Sequence, residues 1–301
     1  DAWRAAKGRG RVVMPTGSGK SYFAVMAIAA IKRPALVVVP TIDLMQQWAS
    51  LLERFLKVKV GMLGGGSKDV CEITVSTYDS AVLQMEFIGN RFGLAVYDEC
   101  HHLPGQVNRQ AASMCLAPYR LGLTATPERE DGLDSVIAEL VGPLVYTAQI
   151  DDLEGRVLAP YRVQRVSVDL SDEEAAEYAA ARKEYTNFLR SFSISFGVRS
   201  DWNKFIALAS RSPRGRAAFE AYMKQRSIAR CGKAKLAMVW RLINAHPEGR
   251  IIIFTADNQT AYKLGEMLCM PVLTHKTKAA ERKDFLDKFR SGEYSVLITS
   301  K

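Results

Sequence analysis

The ten residues VVMPTGSGKS, 12 to 21, constrain the fold of this chain more than any other stretch. Their apolar start reads as a buried strand, a Gly-rich turn follows, and Gly-Lys-Ser opens the apolar helical segment YFAVMAIAAI. A strand that passes through such a turn into a helix belongs to a parallel sheet covered by helices, and the turn itself cradles phosphate. Gly17 and Gly19 let backbone N–H groups curl around phosphate oxygens, and the helix N-terminus adds a favourable dipole. Lys20 is expected to reach the β and γ phosphates and the Ser21 hydroxyl to ligate magnesium. Pro15, Thr16 and Ser18 complete the expected cradle, and Met14 stands where the general GxxxxGK[ST] pattern has its first glycine.

A second stretch, LAVYDECHHLP at 94 to 104, admits two readings. Zinc would need Asp98, Cys100 and His102 to converge, which requires an extended chain, and Leu103-Pro104 argue against one. Beside a phosphate cradle the other reading is favoured: LAVY is a buried strand whose carboxyl end delivers Asp98 to magnesium, usually through water, and Glu99 to the attacking water as its general base. Cys100 then reads as a packed small residue and His101 as a hydrogen-bonding link between the nucleotide site and neighbouring motifs. For His102 a structural and a functional role both stay open.

Around these motifs, residues from Val12 to about Tyr146 alternate short Val/Ile/Leu-rich runs with helical segments, the pattern of an α/β parallel sheet. Ligands of such sheets bind at the carboxyl ends of the strands, where both motifs lie. At Ser171 the pattern changes: SDEE fits a capping box, Ser171 with Glu174, opening a long helix with Tyr178, Tyr185, Leu189 and Phe192 on its apolar face. Between 182 and 230 there are eleven Lys/Arg against three Asp/Glu, and the α/β pattern resumes after Ala234. With 301 residues the chain is expected to form two domains, 1–150 and 151–301, with the helical segment of about 171–230 inserted before the second sheet.

Composition narrows the class. The 41 Lys+Arg exceed the 32 Asp+Glu by nine, which is compatible with a polyanionic partner. Five cysteines with no CxxC pair argue against a disulfide framework and for a reducing compartment. The longest apolar run, Tyr22 to Ile31, is half of the ~20 residues a membrane span needs, so no membrane partner is expected.

A third motif, GLTATPERED at 122 to 131, supplies the hydroxyls of Thr124 and Thr126. In order after the phosphate loop and Asp-Glu-x-His it resembles the Thr/Ser-Ala-Thr motif of superfamily-2 helicases and translocases, which couples nucleotide state to nucleic-acid grip. VVVPTIDLMQQW (37–48) and VSTYDS (75–80) resemble two strand-end motifs that touch the sugar-phosphate backbone there, implying Pro40, Thr41, Ser76 and Thr77 as contacts. Within the superfamily, DECHHLP, APYRLGLTATPERED, DWNKFIALAS and the segment from IIIFTADN to the final SVLITSK resemble the xeroderma pigmentosum group B family, especially its archaeal branch.

That resemblance implies ATP and Mg2+ as ligands and two RecA-like parallel-sheet motor domains, the second incomplete, with an inserted helical thumb. It also implies a role in DNA unwinding for Arg129-Glu130-Asp131 and a backbone-binding edge at Phe254, Thr255 and His275. The implied activity is 3′→5′ movement on DNA by a monomeric motor in nucleotide excision repair, and in transcription for the eukaryotic relatives. Single strands and duplex junctions are the implied substrates. A nuclease is an implied partner in archaea, and the implied setting is the cytoplasm, or the nucleus in a eukaryote. An ATP-gated DNA clamp that recruits a nuclease and unwinds little uses the same motifs and is the alternative.

Overall fold

A computed structural model of the chain describes residues 1–126, 132–155, 157–196 and 199–300. It divides into two compact units, Asp1–Val163 and Gln164–Lys301. The division falls later than the 150/151 boundary expected from sequence. Residues 151–163 belong to the first unit, where Leu158 and Tyr161 line a cavity of about 480 Å³ together with Val13 at the end of β1 and Pro15 and Thr16 of the phosphate loop.

In the first unit the elements follow in the order α1 (Ala2–Ala5), β1 (Arg9–Val13), α2 (Lys20–Ile31), β2 (Ala35–Val39), α3 (Ile42–Leu56), β3 (Val60–Gly64), β4 (Ser67–Lys68) and β5 (Ile73–Thr77). Then come α4 (Tyr78–Ile88), β6 (Leu94–Asp98), a 3-10 turn (Cys100–His102), α5 (Gln110–Ser113), β7 (Tyr119–Thr124), α6 (Asp134–Leu140), β8 (Leu144–Thr147) and α7 (Ile150–Leu153). Eight strands form one sheet in the order β4-β3-β5-β2-β6-β7-β1-β8. All neighbours are parallel except β3 and β4.

The strands are apolar along their whole length because both faces of the sheet are covered; every residue of β2 and β6 is buried. Strand alternation sorts them between two cores. Val37, Val39, Leu94 and Val96 face α2 and α3 through Ala24, Ile28, Trp48 and Leu52. Leu36, Val38, Ala95 and Tyr97 face α4, α5 and α6 through Tyr78, Met85, Ala111 and Ile137.

The strand order creates the site. β7 lies between β6 and β1, so the chain leaving β1 into the phosphate loop, Thr124 at the end of β7 and Asp98 at the end of β6 emerge side by side; Asp98 registers with Leu123 and Val13 with Thr124. Beyond β6, β2 and β5 bring Pro40-Thr41 and Ser76-Thr77 out next to one another on the same edge.

The second unit begins with three helices, α8 (Asp172–Ser191), α9 (Arg199–Arg211) and α10 (Pro213–Cys231). Both halves of the capping box at Ser171 and Glu174 are made, with the Glu174 N–H donating to Ser171 Oγ. The buried face of α8 is Ala181, Tyr185, Phe188 and Leu189. This departs from the expected face: Phe192 follows the last helical residue and is 48% exposed, and Tyr178 is only half-buried. Phe188 takes the place because Phe205 and Ala218 of the neighbouring helices come to that side, which helical spacing within α8 alone does not show. Trp202, Phe205 and Tyr222 complete an aromatic core whose ring centroids lie 5.4 to 5.9 Å apart.

The remainder is α11 (Lys233–Ala245), β9 (Ile251–Thr255), α12 (Asn258–Leu268), β10 (Val272–Leu273), α13 (Ala279–Ser291) and β11 (Val296–Ser300), with the parallel sheet order β10-β11-β9. Two contacts tie the helical part to it. Glu174 accepts the Lys233 N–H at 2.8 Å, and Arg230 pairs with Asp257, the N-cap of α12, at 3.0 Å. Among the described residues no helix is long and apolar enough to cross a membrane.

Candidate functional site

The phosphate loop is built as its glycines require. Gly17 and Gly19 have φ of +81° and +92°, backbone that side chains rarely adopt, and Gly19 is the N-cap of α2. The Ser18 hydroxyl donates to Pro15 O at 2.6 Å and closes the turn. Lys20 Nζ donates to Met14 O at 2.9 Å and Pro15 O at 3.0 Å, so the ammonium lies over the loop. Thr16, Gly17, Gly19, Lys20 and Ser21 line one cavity of about 410 Å³ with Asp98 and Glu99, and α3 walls it with Leu44, Gln47, Trp48 and Leu51.

Asp98 is 7% exposed. Burial raises its carboxyl above the usual range, while the Trp48 indole N–H, donating to Oδ2 at 2.8 Å, favours the ionised form. Oδ1 accepts the Glu99 N–H at 3.1 Å, and the Tyr78 hydroxyl donates to the backbone oxygen at 2.9 Å. Burial also lowers Lys20, against the pull of Glu99 and Asp98. Glu99 itself sits at φ +47°, ψ +50°, the left-handed region, which costs a non-glycine residue roughly 1 kcal/mol and turns the chain sharply out of β6.

The histidines after it do not gather a metal. The 3-10 turn ends the extended strand, and among the described residues no three His, Cys, Asp or Glu side chains group to hold an ion. Cys100 is wholly buried, its thiol pushed up to about 12, chiefly by that burial. Alkylation of the native protein at pH 8 should therefore modify exposed Cys269 and spare Cys100 and Cys115 until denaturant is added, a difference that peptide mass mapping reads directly. His101 Nδ1 lies 3.0 Å from Thr124 Oγ1 and 3.3 Å from Glu99 Oε2, and Thr124 Oγ1 also accepts the Thr126 N–H at 3.1 Å. A continuous polar path thus runs from Glu99 to the end of β7. The His102 ring lies tilted against His101 with centroids 4.2 Å apart and is edge-on to Tyr78 with centroids 6.4 Å apart.

The edge residues are less uniform. Thr41 is exposed and caps α3 by accepting the Leu44 N–H, with half-buried Pro40 before it. Ser76, an expected backbone contact, is instead fully buried, its hydroxyl donating to Leu63 O and Thr77 O, because the alternation of β5 turns it to the covered face it shares with its cross-strand partner Leu63. Thr77 is nearly buried and caps α4. Likewise the Thr255 hydroxyl turns inward to Asp257 O and Thr299 O, while Phe254 beside it is 77% exposed. Exposed His275 lies 3.1 Å, through Nδ1, from the Asn258 amide. Arg129, Glu130 and Asp131 lie outside the described residues.

Trp48 and Tyr78 are the two site residues that sequence reasoning missed. Both occur inside motifs noted for other members, and the available signal was chemical: an indole N–H or phenol buried on a helix face needs a partner.

The family described as "Type III restriction enzyme, res subunit" matches residues 1–129. Over 299 residues, 99% of this chain and 68% of the relative, the sequence is 38% identical to the DNA 3'-5' translocase XPB2 of Sulfurisphaera tokodaii. The chain belongs to the XPB family. The DNA 3'-5' helicase XPB of Mycobacterium tuberculosis is 30% identical over 98% of the chain, which spans 49% of that relative's length. Among solved structures the helicase domain of Pyrococcus furiosus Hef shares the fold, with a TM-score of 0.60 at 18% identity over 99% of this chain and 84% of that one. An XPB assignment and an α/β fold with a parallel sheet therefore stand on separate grounds, one from sequence and one from backbone geometry.

Proposed function

We propose that this chain is an ATP-driven motor on DNA that moves in the 3′→5′ sense and acts in nucleotide excision repair. The observation that carries the reading is the single pocket in which Lys20, Ser21, Asp98 and Glu99 meet, joined through His101 to Thr124 at the neighbouring strand end. Relatives named as DNA 3'-5' helicases and translocases support the substrate class.

The donor set fits magnesium with ATP: a hydroxyl and a carboxylate are the hard oxygen ligands Mg2+ takes, and the glycine turn with Lys20 offers donors to phosphate. Magnesium, when bound, would neutralise charge on the transferring phosphate; Ser21 and Asp98 would hold it. Lys20 leaves the Met14 and Pro15 carbonyls for the β and γ phosphate oxygens. Glu99 aligns the attacking water and takes its proton. His101, hydrogen-bonded through Nδ1 to Thr124 and within ion-pair distance of the Glu99 carboxylate, reports the state of that carboxylate to the β7 end, where Thr126 is exposed. Thr41, Phe254 and His275 are the exposed members of the candidate set that would touch the nucleic-acid backbone. In the helical thumb the exposed cations Arg211, Arg214 and Arg216 at the α9–α10 junction would add salt-sensitive, sequence-independent grip.

ATP turnover measured with and without single-stranded DNA or RNA tests the reading. DNA stimulation exceeding RNA stimulation, and fading as salt rises, is the expected result. A protein that binds DNA yet shows no stimulated turnover would instead be the ATP-gated clamp.

A further inference from the structure

Two tryptophans are buried in the first unit, and they spend their indole N–H groups differently. Trp3 donates to the backbone oxygen of Arg120 at 3.0 Å, a neutral partner at the start of a strand. Trp48 donates at 2.8 Å to Oδ2 of Asp98. Phenylalanine would supply an aromatic ring with no donor; an indole brings a donor that must find an acceptor once it is buried. At 3% and 7% exposure neither Trp48 nor Asp98 can turn to water instead.

The carboxylate is held from both sides. Oδ1 accepts the Glu99 N–H while Oδ2 accepts the indole, so rotation about Cβ–Cγ would break both bonds. Each oxygen keeps a further lone pair for a cation or its water, so the two donors orient the group without using it up. Trp48 is itself fixed by the first core, among Met45, Ala49 and Leu52 of its own helix and Ala24 and Ile28 of α2. Its helix supplies the wall of the pocket opposite the phosphate loop, so the ring is placed by the element that faces Lys20 and Ser21.

We propose that Trp48 is a positioning residue of the hydrolytic site, its indole N–H holding the Asp98 carboxylate in the orientation that receives magnesium beside Lys20 and Ser21. This rests on reading the pocket as a magnesium–nucleotide site. Outer partners of metal ligands act this way generally, and losing one costs metal affinity while the ligand itself remains.

The test uses binding rather than turnover. A fluorescent ATP analogue is titrated at increasing Mg2+ against the natural chain, Trp48→Phe, and a chain carrying benzothienylalanine at position 48, which keeps the shape of indole and replaces its N–H by sulfur. The Mg2+ concentration for half-maximal binding is expected to rise about tenfold in both substituted proteins, with metal-free binding unchanged. The benzothienyl protein should melt at the temperature of the natural chain. If that protein keeps the natural magnesium requirement, Trp48 is only packing and the proposal is overturned, whatever Trp48→Phe does to folding. If the natural chain shows no magnesium-dependent nucleotide binding, the reading of the pocket falls first and this inference with it.

Discussion

Glu99→Gln lowers ATP turnover by about 10²–10⁴-fold while nucleotide still binds. The substitution keeps the length and shape of the side chain and leaves the left-handed backbone at φ +47° as strained as before, so folding should change little. An amide oxygen can still accept a hydrogen bond from water, but it cannot take a proton near neutral pH, and the attacking water must lose one. Lys20, Ser21 and Asp98, the residues proposed to hold the nucleotide and its magnesium, are untouched. Single-turnover kinetics beside a nucleotide-binding titration separate the two. Turnover within a few-fold of the natural chain would remove Glu99 from the role of base, and loss of binding as well would make it a structural residue of the pocket.

Arg120→Met should cost about 3–5 kcal/mol of stability without touching the pocket, because a charged donor is worth more per hydrogen bond than a neutral one and its loss strands several acceptors at once. Arg120 Nε donates to Ala117 O and Nη1 to Ala112 O, both at 3.1 Å, while the remaining donors reach Leu140 O and Cys115 O. Those carbonyls belong to the end of α5, the loop that follows it and the last residue of α6, where helices leave acceptors without an internal partner. Met fills much of the volume and supplies no donor. Lysine should rescue only part of the loss, since one ammonium cannot reproduce a planar fork aimed at four oxygens. Scanning calorimetry reads the result; a melting temperature within about 2 °C of the natural chain, less than ~1 kcal/mol at this size, would show that water satisfies those carbonyls as well as the guanidinium does.

Much of the fold was legible because it is local. Apolar runs bounded by Gly and Pro marked β1, β2, β6 and β7, the Gly-Lys-Ser turn marked the start of α2, and Ser171 with Glu174 marked the start of α8. In each case the chemistry lies within four residues of the element it specifies. The expected inward turn of Tyr185 and Leu189 also follows from helical spacing, whereas Phe188 and Phe192 could be told apart only by where α9 and α10 pack.

Residue order alone names the candidate groups and the strand ends that carry them: Lys20 and Ser21 in the turn out of β1, Asp98 and Glu99 at the end of β6, Thr124 at the end of β7. Tertiary structure decided which of these meet. Placing β7 between β6 and β1 puts Thr124 beside His101, the alternation of β5 turns the Ser76 hydroxyl to the covered face beside Leu63, and the packing of α3 brings Trp48, fifty residues away in the chain, onto Asp98. The physical reason is that hydrophobic patterning fixes which face of an element is buried, but it is the order of crossovers that chooses its neighbour, and a buried donor states only that it needs an acceptor, never which one.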